Sequence, residues 1–334
     1  MKFAYLINSH KNASHIYRLI NRLNNPDTDF VIHVSKTARK GFNEELKNLF
    51  KSYDNVYFCK RETGIHYGFG IVQATINGME TLIKNGSKFD YFHLLSGQDY
   101  PIKPNEEIIN FFKENKGKEF MYFWKMFPKE GEVDYIDHPW GDHRQLFRIN
   151  RFNFPWMGKT FTIPELESRS FLDKPLFQTC KIFFSELKSY KKSGKAKEYF
   201  WRLIFSRILP EERNYKTDYE FYGGKTWFSF TRELIEYIVS EHNNNKKWKK
   251  FFKYSLIPDE MYFHTITMNS KFSENVVNDY LREVEWDGGD GTHPVIWTKD
   301  DFERLSKTKN FWARKFEDDV DSDILDLIDS KLIS

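Results

Sequence analysis

Short apolar runs alternate with amphipathic stretches over the first third of the chain. FAYLIN (3–8), FVIHVS (30–35), NVYFC (55–59), YFHLLS (91–96) and the apolar run at 118–124 are rich in aromatic and β-branched side chains and read as buried strands. Apolar positions at helical spacing fill the intervals at 14–24, 41–52, 70–84 and 104–115. Strands this short, separated by helices of this length, predict βαβ units and a mostly parallel sheet flanked by helices.

Between 126 and 216 the pattern loosens into aromatic, Pro-containing and basic segments. One of them, SELKSYKKSGKAKEYFWRLIFSRIL at 185–209, reads as an aromatic and basic helical insertion. Its cations fit either a solvated face or peripheral contact with an anionic membrane surface. Order returns with a strand at 225–230 (KTWFSF), a helix opening after Thr231 and ending near His242, and another opening at Pro258-Asp259-Glu260. Thr298 and Asp301 have capping-box spacing, and Ser322 stands where it would cap the closing helix DILDLIDSKLI. The chain divides at about residue 125 into two halves of one continuous domain.

Composition narrows the function classes. Hydrophobic residues at 40% and the lack of low-complexity runs exclude a disordered chain. The 18% aromatic content serves equally for a packed interior or for stacking on sugar rings. With 51 basic and 48 acidic residues the net charge is +3, which gives no electrostatic case for a nucleic-acid partner. Cys59 and Cys180, far apart in apolar surroundings, fit reduced thiols of a cytoplasmic protein. No run approaches the ~18 apolar residues of a membrane span, and Met1-Lys2 enters FAYLIN without a leader-type segment.

The most informative stretch for chemistry is YFHLLSGQDYP at 91–101, an apolar strand running into a Gly turn that carries Asp99. Such a turn delivers polar groups to the carboxyl edge of the sheet, where open α/β sheets bind ligands. Asn8-Ser9-His10, His33 and Ser35 stand at the ends of the first two strands, either to hold a base and ribose or to satisfy local backbone. Gly68-Phe69-Gly70 lacks the third glycine of a dinucleotide fingerprint and reads as the turn feeding the helix at 70–84. No Asp-x-Asp triplet follows a core strand, the triplet at 319–321 lacks the glycine of a calcium loop, and His138 and His143 match no zinc spacing. No metal or other cofactor is therefore expected. Asp259 and Glu260 fit ordinary helix-start chemistry, or a general base aimed into a cleft. Arg314 and Lys315, set between Phe311-Trp312 and Phe316, suit a diphosphate whose charge grows as it departs.

Taken in order, FAYLINSH, VIHVS, the Tyr67-Gly68 turn, LLSGQDYPI, GGKTWFSFTRELIEYIV, PDEMYFHTI, the loop at 286–294 ending in THP, and FWARKF with its acidic tail resemble glycosyltransferase family 14. These are the core-2/I-branching β-1,6-N-acetylglucosaminyltransferases and peptide O-xylosyltransferases. The resemblance implies a GT-A-like, Rossmann-like fold and an inverting transfer from a UDP-sugar without an obligatory metal. It makes 1–125 a nucleotide-sugar-binding half and 126–334 an acceptor-binding and catalytic half. Glu260 becomes the base on the acceptor hydroxyl, and Lys315 holds the departing diphosphate with Arg314 as helper. His10 and Asp99 line the donor side, His293 is an alternative diphosphate ligand, and Trp286 and Asp259 face the acceptor. Ser35 departs from the family, which usually has Asp there near the nucleoside. The expected role is transfer of N-acetylglucosamine or xylose to a glycan or lipid-linked saccharide in bacterial polysaccharide assembly, in the cytoplasm or peripherally at the membrane's inner face. A rival is a catalytically weak glycan- or nucleotide-binding protein on the same fold.

Overall fold

The structure, a computed structural model, describes residues 1–64, 68–127, 141–156, 159–163, 213–214, 219–286 and 294–333. Its strands are β1 (Phe3–Ser9), β2 (Thr28–Val34), β3 (Val56–Phe58), β4 (Tyr91–Ser96), β5 (Asp99–Pro101), β6 (Glu119–Lys125), β7 (Phe152–Trp156), β8 (Lys159–Ile163), β9 (Tyr222–Thr231), β10 (Val276–Asn278), β11 (Arg282–Val284) and β12 (Trp312–Arg314). The helices are α1 (Ala13–Leu23), α2 (Phe42–Leu49), α3 (Gly70–Lys84), α4 (Asn105–Glu114), α5 (Gly141–Asn150), α6 (Arg232–Asn244), α7 (Lys246–Lys253), α8 (Tyr262–Met268), α9 (Phe302–Lys307) and α10 (Asp323–Lys331). The insertion expected at 185–209 lies outside the described residues, as do Tyr67, His138, Cys180 and His293.

The central sheet runs β10-β6-β9-β4-β1-β2-β3, and every pairing is parallel except those of β9. It is the mostly parallel, helix-flanked α/β sheet that the periodicity predicts. Alternation along β1 sorts its side chains into two layers. Phe3, Tyr5 and Ile7 join the core under α1, α2 and α10, whereas Ala4 and Leu6 join the core under α3 and α6. The register sets Asn8 beside both His33 and Ser96, so three strands end together at one carboxyl edge. Much of the aromatic load is interior, with Tyr5, Tyr91, Tyr100, Trp297 and Trp312 fully buried.

Local chemistry sets the element ends. A Cβ at Gly70 would lie 1.9 Å from the Thr63 carbonyl oxygen, so only glycine can open α3 so close to that loop. The Thr231 hydroxyl accepts from the Leu234 N–H at the start of α6, and the capping box of Thr298 and Asp301 forms as spaced. Ser322 makes no side-chain cap on α10. The Asp321 carboxylate takes that place, accepting from the N–H groups of Asp323 and Ile324. A carboxylate one residue earlier reaches two amides where the serine reaches none. Cys59 is buried as a free thiol, and burial pushes it up to about 12.

A second sheet, β11-β12-β5, lies beside the carboxyl edge. Antiparallel pairing of β12 with β5 puts Arg314 opposite Asp99. That register brings the Gly turn after β4 together with the basic pair more than 200 residues later, at separations of |i−j| = 215 and 218.

Candidate active site

Asp99 is fully buried, and its carboxylate is used up locally. It accepts from the Ser96 N–H at 2.6 Å and pairs with Arg282 Nη1 at 2.7 Å and Arg314 Nη1 at 3.4 Å. Arg314 also donates to the Ser96 hydroxyl. Trp227 of β9 lies against both cations, its ring centroid 4.5 Å from the Arg282 guanidinium carbon and 5.1 Å from that of Arg314. Backbone bonds then fix the basic pair: Trp297 Nε1 donates to the Arg314 carbonyl at 2.6 Å, and Trp297 N to the Lys315 carbonyl at 2.9 Å. The Arg314–Lys315 peptide bond is cis.

Lys315 pairs with Glu317 Oε1 at 2.8 Å, and Lys11, just past the end of β1, takes Oε2 of the same carboxylate at 2.5 Å. Gln98 Nε2 adds a bond to Oε1 at 2.6 Å. Partial desolvation opposes it, but the bonds from Lys11 and Lys315 hold the Glu317 carboxyl below its usual value. Desolvation, then the charges of Lys11 and Arg314, likewise lower the His10 imidazole below its usual value. Four cations (Lys11, Arg282, Arg314, Lys315) pair with two carboxylates (Asp99, Glu317), an excess of two positive charges.

The acidic pair sits on a 3-10 turn, Pro258–Glu260, ahead of α8. Glu260 retains some exposure, 22% of its side chain, and its Oε2 accepts from Arg148 Nη1 of α5 at 2.8 Å. Burial raises the Glu260 carboxyl above its ordinary value, Arg148 opposes the rise, and Asp259 adds to it. A raised, partly accessible carboxylate is a stronger base than an ordinary one.

A bulge in β9 joins the two clusters. Met121 of β6 pairs with Phe228 and Phe123 with Gly224, so residues 225–227 together stand opposite Tyr122 alone. The extra residues present consecutive side chains to one region, as bulges beside functional sites do. Lys225 lies 4.8 Å from the Trp286 ring centroid and beside Glu260, Thr226 donates to Asp259 Oδ2 at 3.0 Å, and Trp227 meets the arginines. Buried His264, its imidazole pushed down to about 4 by burial, donates from Nε2 to the Lys225 carbonyl at 3.0 Å and pins the bulge to α8. Gly224→Ala would place a Cβ 2.1 Å from the Tyr122 carbonyl oxygen and 2.3 Å from the His264 ring. We expect that variant to lose about 1–3 kcal/mol in urea denaturation by forcing β6 and β9 apart. Turnover should fall at least tenfold with it, since residues 225–227 move. Wild-type kinetics in Gly224→Ala would show that the bulge is not needed.

Of the residues expected from sequence, Glu260, Arg314, Lys315, His10 and Trp286 all reach this region. Trp286 is 42% exposed, with the Lys225 ammonium over its ring. Asp99, expected on the donor side, has its carboxylate taken up by the two arginines and the Ser96 amide. Asp259, expected to face the acceptor, is buried and accepts from Thr226, with Oδ1 lacking a partner among the described residues. At the end of β2 local satisfaction wins. His33 Nε2 accepts from the Glu62 N–H, and the Ser35 hydroxyl accepts from the N–H groups of Thr37 and Gly64.

The only non-glycine residues with positive φ among the described residues are Asn12 (59°), Ile257 (48°) and Leu281 (57°). Each abuts a site element: Lys11, the acidic turn, and Arg282. A β-branched residue in this region is unfavourable, and such strain of ~1–3 kcal/mol concentrates at functional sites. No group of three or more His, Cys, Asp or Glu among the described residues is arranged to hold a metal ion.

A partly exposed carboxylate and an exposed tryptophan are thus joined by a strand bulge to a cluster of cations at the sheet's carboxyl edge. The core-2/I-branching enzyme family profile matches residues 3–133 and 176–306, and the chain belongs to this family, glycosyltransferase family 14. Xylosyltransferase 2 of Rattus norvegicus is 27% identical over 351 residues, covering 99% of this chain and 34% of its own length. Beta-glucuronosyltransferase GlcAT14B of Arabidopsis thaliana is 23% identical over 342 residues, covering 99% of this chain and 66% of its own. The chain thus spans about a third of the length of xylosyltransferase 2. Among solved structures, S. aureus TarS 1–349 in complex with UDP aligns at a TM-score of 0.27 and 14% identity, over 45% of this chain and 40% of that one, a likeness too slight to argue from.

Proposed function

We propose that the protein is an inverting glycosyltransferase that moves a sugar from a UDP-sugar to a glycan hydroxyl. The observation that carries this reading is the bulge at 225–227, which links Glu260 and Trp286 on one side to Arg314, Lys315 and Trp227 on the other. The acceptor ring stacks on Trp286, Glu260 takes the proton of its hydroxyl, and that oxygen attacks the anomeric carbon from the face opposite the leaving group. Arg314 and Lys315 stabilise the diphosphate as its charge develops, and Asp99 and Arg282 fix Arg314 before the sugar arrives. A fixed cationic clamp supplies the charge stabilisation that a divalent ion gives elsewhere, so the transfer is metal-independent.

Xylose and N-acetylglucosamine are the donors the family motifs favour, and the glucuronosyltransferase relative adds glucuronic acid. The role we assign is bacterial polysaccharide assembly, on a glycan or lipid-linked acceptor, in the cytoplasm or at the inner membrane face. No helix among the described residues is long and apolar enough to cross a membrane. The test is UDP release from UDP-xylose, UDP-N-acetylglucosamine and UDP-glucuronic acid, each with and without EDTA. Release from one donor that persists in EDTA is expected. No release from any donor would leave a binding protein, and loss of release in EDTA would remove the metal-free part of the mechanism.

A further inference from the structure

We infer that Lys11 is a diphosphate ligand of this site and that Glu317 is the positioning residue that holds Lys11 and Lys315 as a matched pair of ammonium groups. The inference deepens the proposed donor reading and rests on it. No local motif singles out Lys11: it follows the strand end Asn8-Ser9-His10 and precedes the left-handed Asn12 that opens α1. The fold places it at the carboxyl edge, in the first strand-to-helix turn, where α/β sheets receive anionic groups.

Three features separate this pairing from an ordinary surface ion pair. First, the carboxylate is buried while the amines are not: side-chain exposure is 9% for Glu317, 22% for Lys315 and 40% for Lys11. The acid sits behind the cations, and the cations face outward. Second, each carboxylate oxygen takes one lysine, so the two ammonium nitrogens are separated by no more than one carboxylate and two hydrogen bonds. Each ammonium keeps two further donors. Third, Glu317 is fixed from behind. Gln98 donates to it, and neighbouring Asp318 is bound by His15 Nδ1 at 2.8 Å and by the Ser14 hydroxyl at 3.2 Å, both from α1. His15 also donates to the Asp99 carbonyl at 3.0 Å, so one helix ties both carboxylate segments of the clamp together.

One carboxylate cannot neutralise two ammonium groups, so the pair keeps one positive charge. The Asp99, Arg282 and Arg314 group keeps another. The two half-sites therefore supply one charge for each phosphate of the donor.

The experiment is calorimetric titration of the full chain with uridine, UMP and UDP. Lys11→Met removes the charge and keeps the stem of a partly exposed side chain. We expect it to weaken UDP about ten- to a hundredfold, the scale of one charge-assisted hydrogen bond, and to leave uridine unchanged. Glu317→Gln should also weaken UDP, with Glu317→Asp restoring part of the loss, and Lys11→Met should cost less in the Glu317→Gln background than alone. Wild-type UDP affinity in Lys11→Met would overturn the ligand role and leave the donor reading intact. Tighter UDP binding by Glu317→Gln would show the carboxylate acting as a repelling charge and overturn its positioning role. A wild-type chain that does not bind UDP would sink the inference and the donor reading together.

Discussion

Glu260→Gln is expected to lower the rate of sugar transfer by roughly 10²–10⁴, the contribution of a positioned general base, while UDP binding stays within a few-fold of wild type. The amide matches the carboxylate in shape and keeps an oxygen for Arg148, so the turn at Pro258–Glu260 should hold its geometry. Loss confined to turnover separates a catalytic carboxylate from one that merely starts a helix. The pH profile gives an independent check. Burial raises the Glu260 carboxyl and Arg148 opposes the rise. The base works only deprotonated, so the rate should climb with pH through that raised value. Arg148→Met removes the opposing charge and should shift this acid limb to higher pH. A limb that stays in place would mean that Glu260 is not the group titrating.

Asp99→Ala should have the largest effect on stability. It leaves Arg282, whose side chain is 2% exposed, buried without its carboxylate, and breaking such a pair costs about 3–5 kcal/mol. Arg314 loses the same anchor, so the KM for the donor should rise among molecules that still fold. Removing both charges with Asp99→Asn and Arg282→Met should recover much of the denaturation midpoint, because an unpaired buried ion costs more than no ion. If Asp99→Ala unfolds at the wild-type denaturant concentration, the buried pair does not hold the clamp.

The sequence shows the first half of the fold because periodicity is a local signal. β1, β4 and α3 fall where alternation and helical spacing place them, and the β4 prediction at 91–96 matches residue for residue. The strand of KTWFSF is visible too, but its antiparallel place between β4 and β6 is not, since pairing depends on partners distant in the chain. The bulge is hidden for the same reason: three residues standing opposite Tyr122 is a property of two strands together.

The site divides along the same line. Glu260 and the Arg314-Lys315 pair lie in motifs and are candidates from the sequence itself. Arg148 and Arg282 lie in none of the motifs and act through contacts across long separations, Arg282 to Asp99 spanning 183 residues; Lys225 and Glu317 lie in or beside motifs, but their distant partners are not marked there. At Asp99 the motif does place the turn at the sheet edge, but the β5–β12 register that sets Arg314 opposite it is not visible in the sequence.

The structure of the UDP complex tests the central claim most directly, because the claim is spatial: one anion clamp and one base served by a single strand bulge. The prediction is a diphosphate within hydrogen-bond distance of Arg314 and Lys315, with its β-phosphate turned toward the space between Trp227 and Glu260. A diphosphate bound away from Arg314 and Lys315, or a β-phosphate directed away from Glu260, would contradict it.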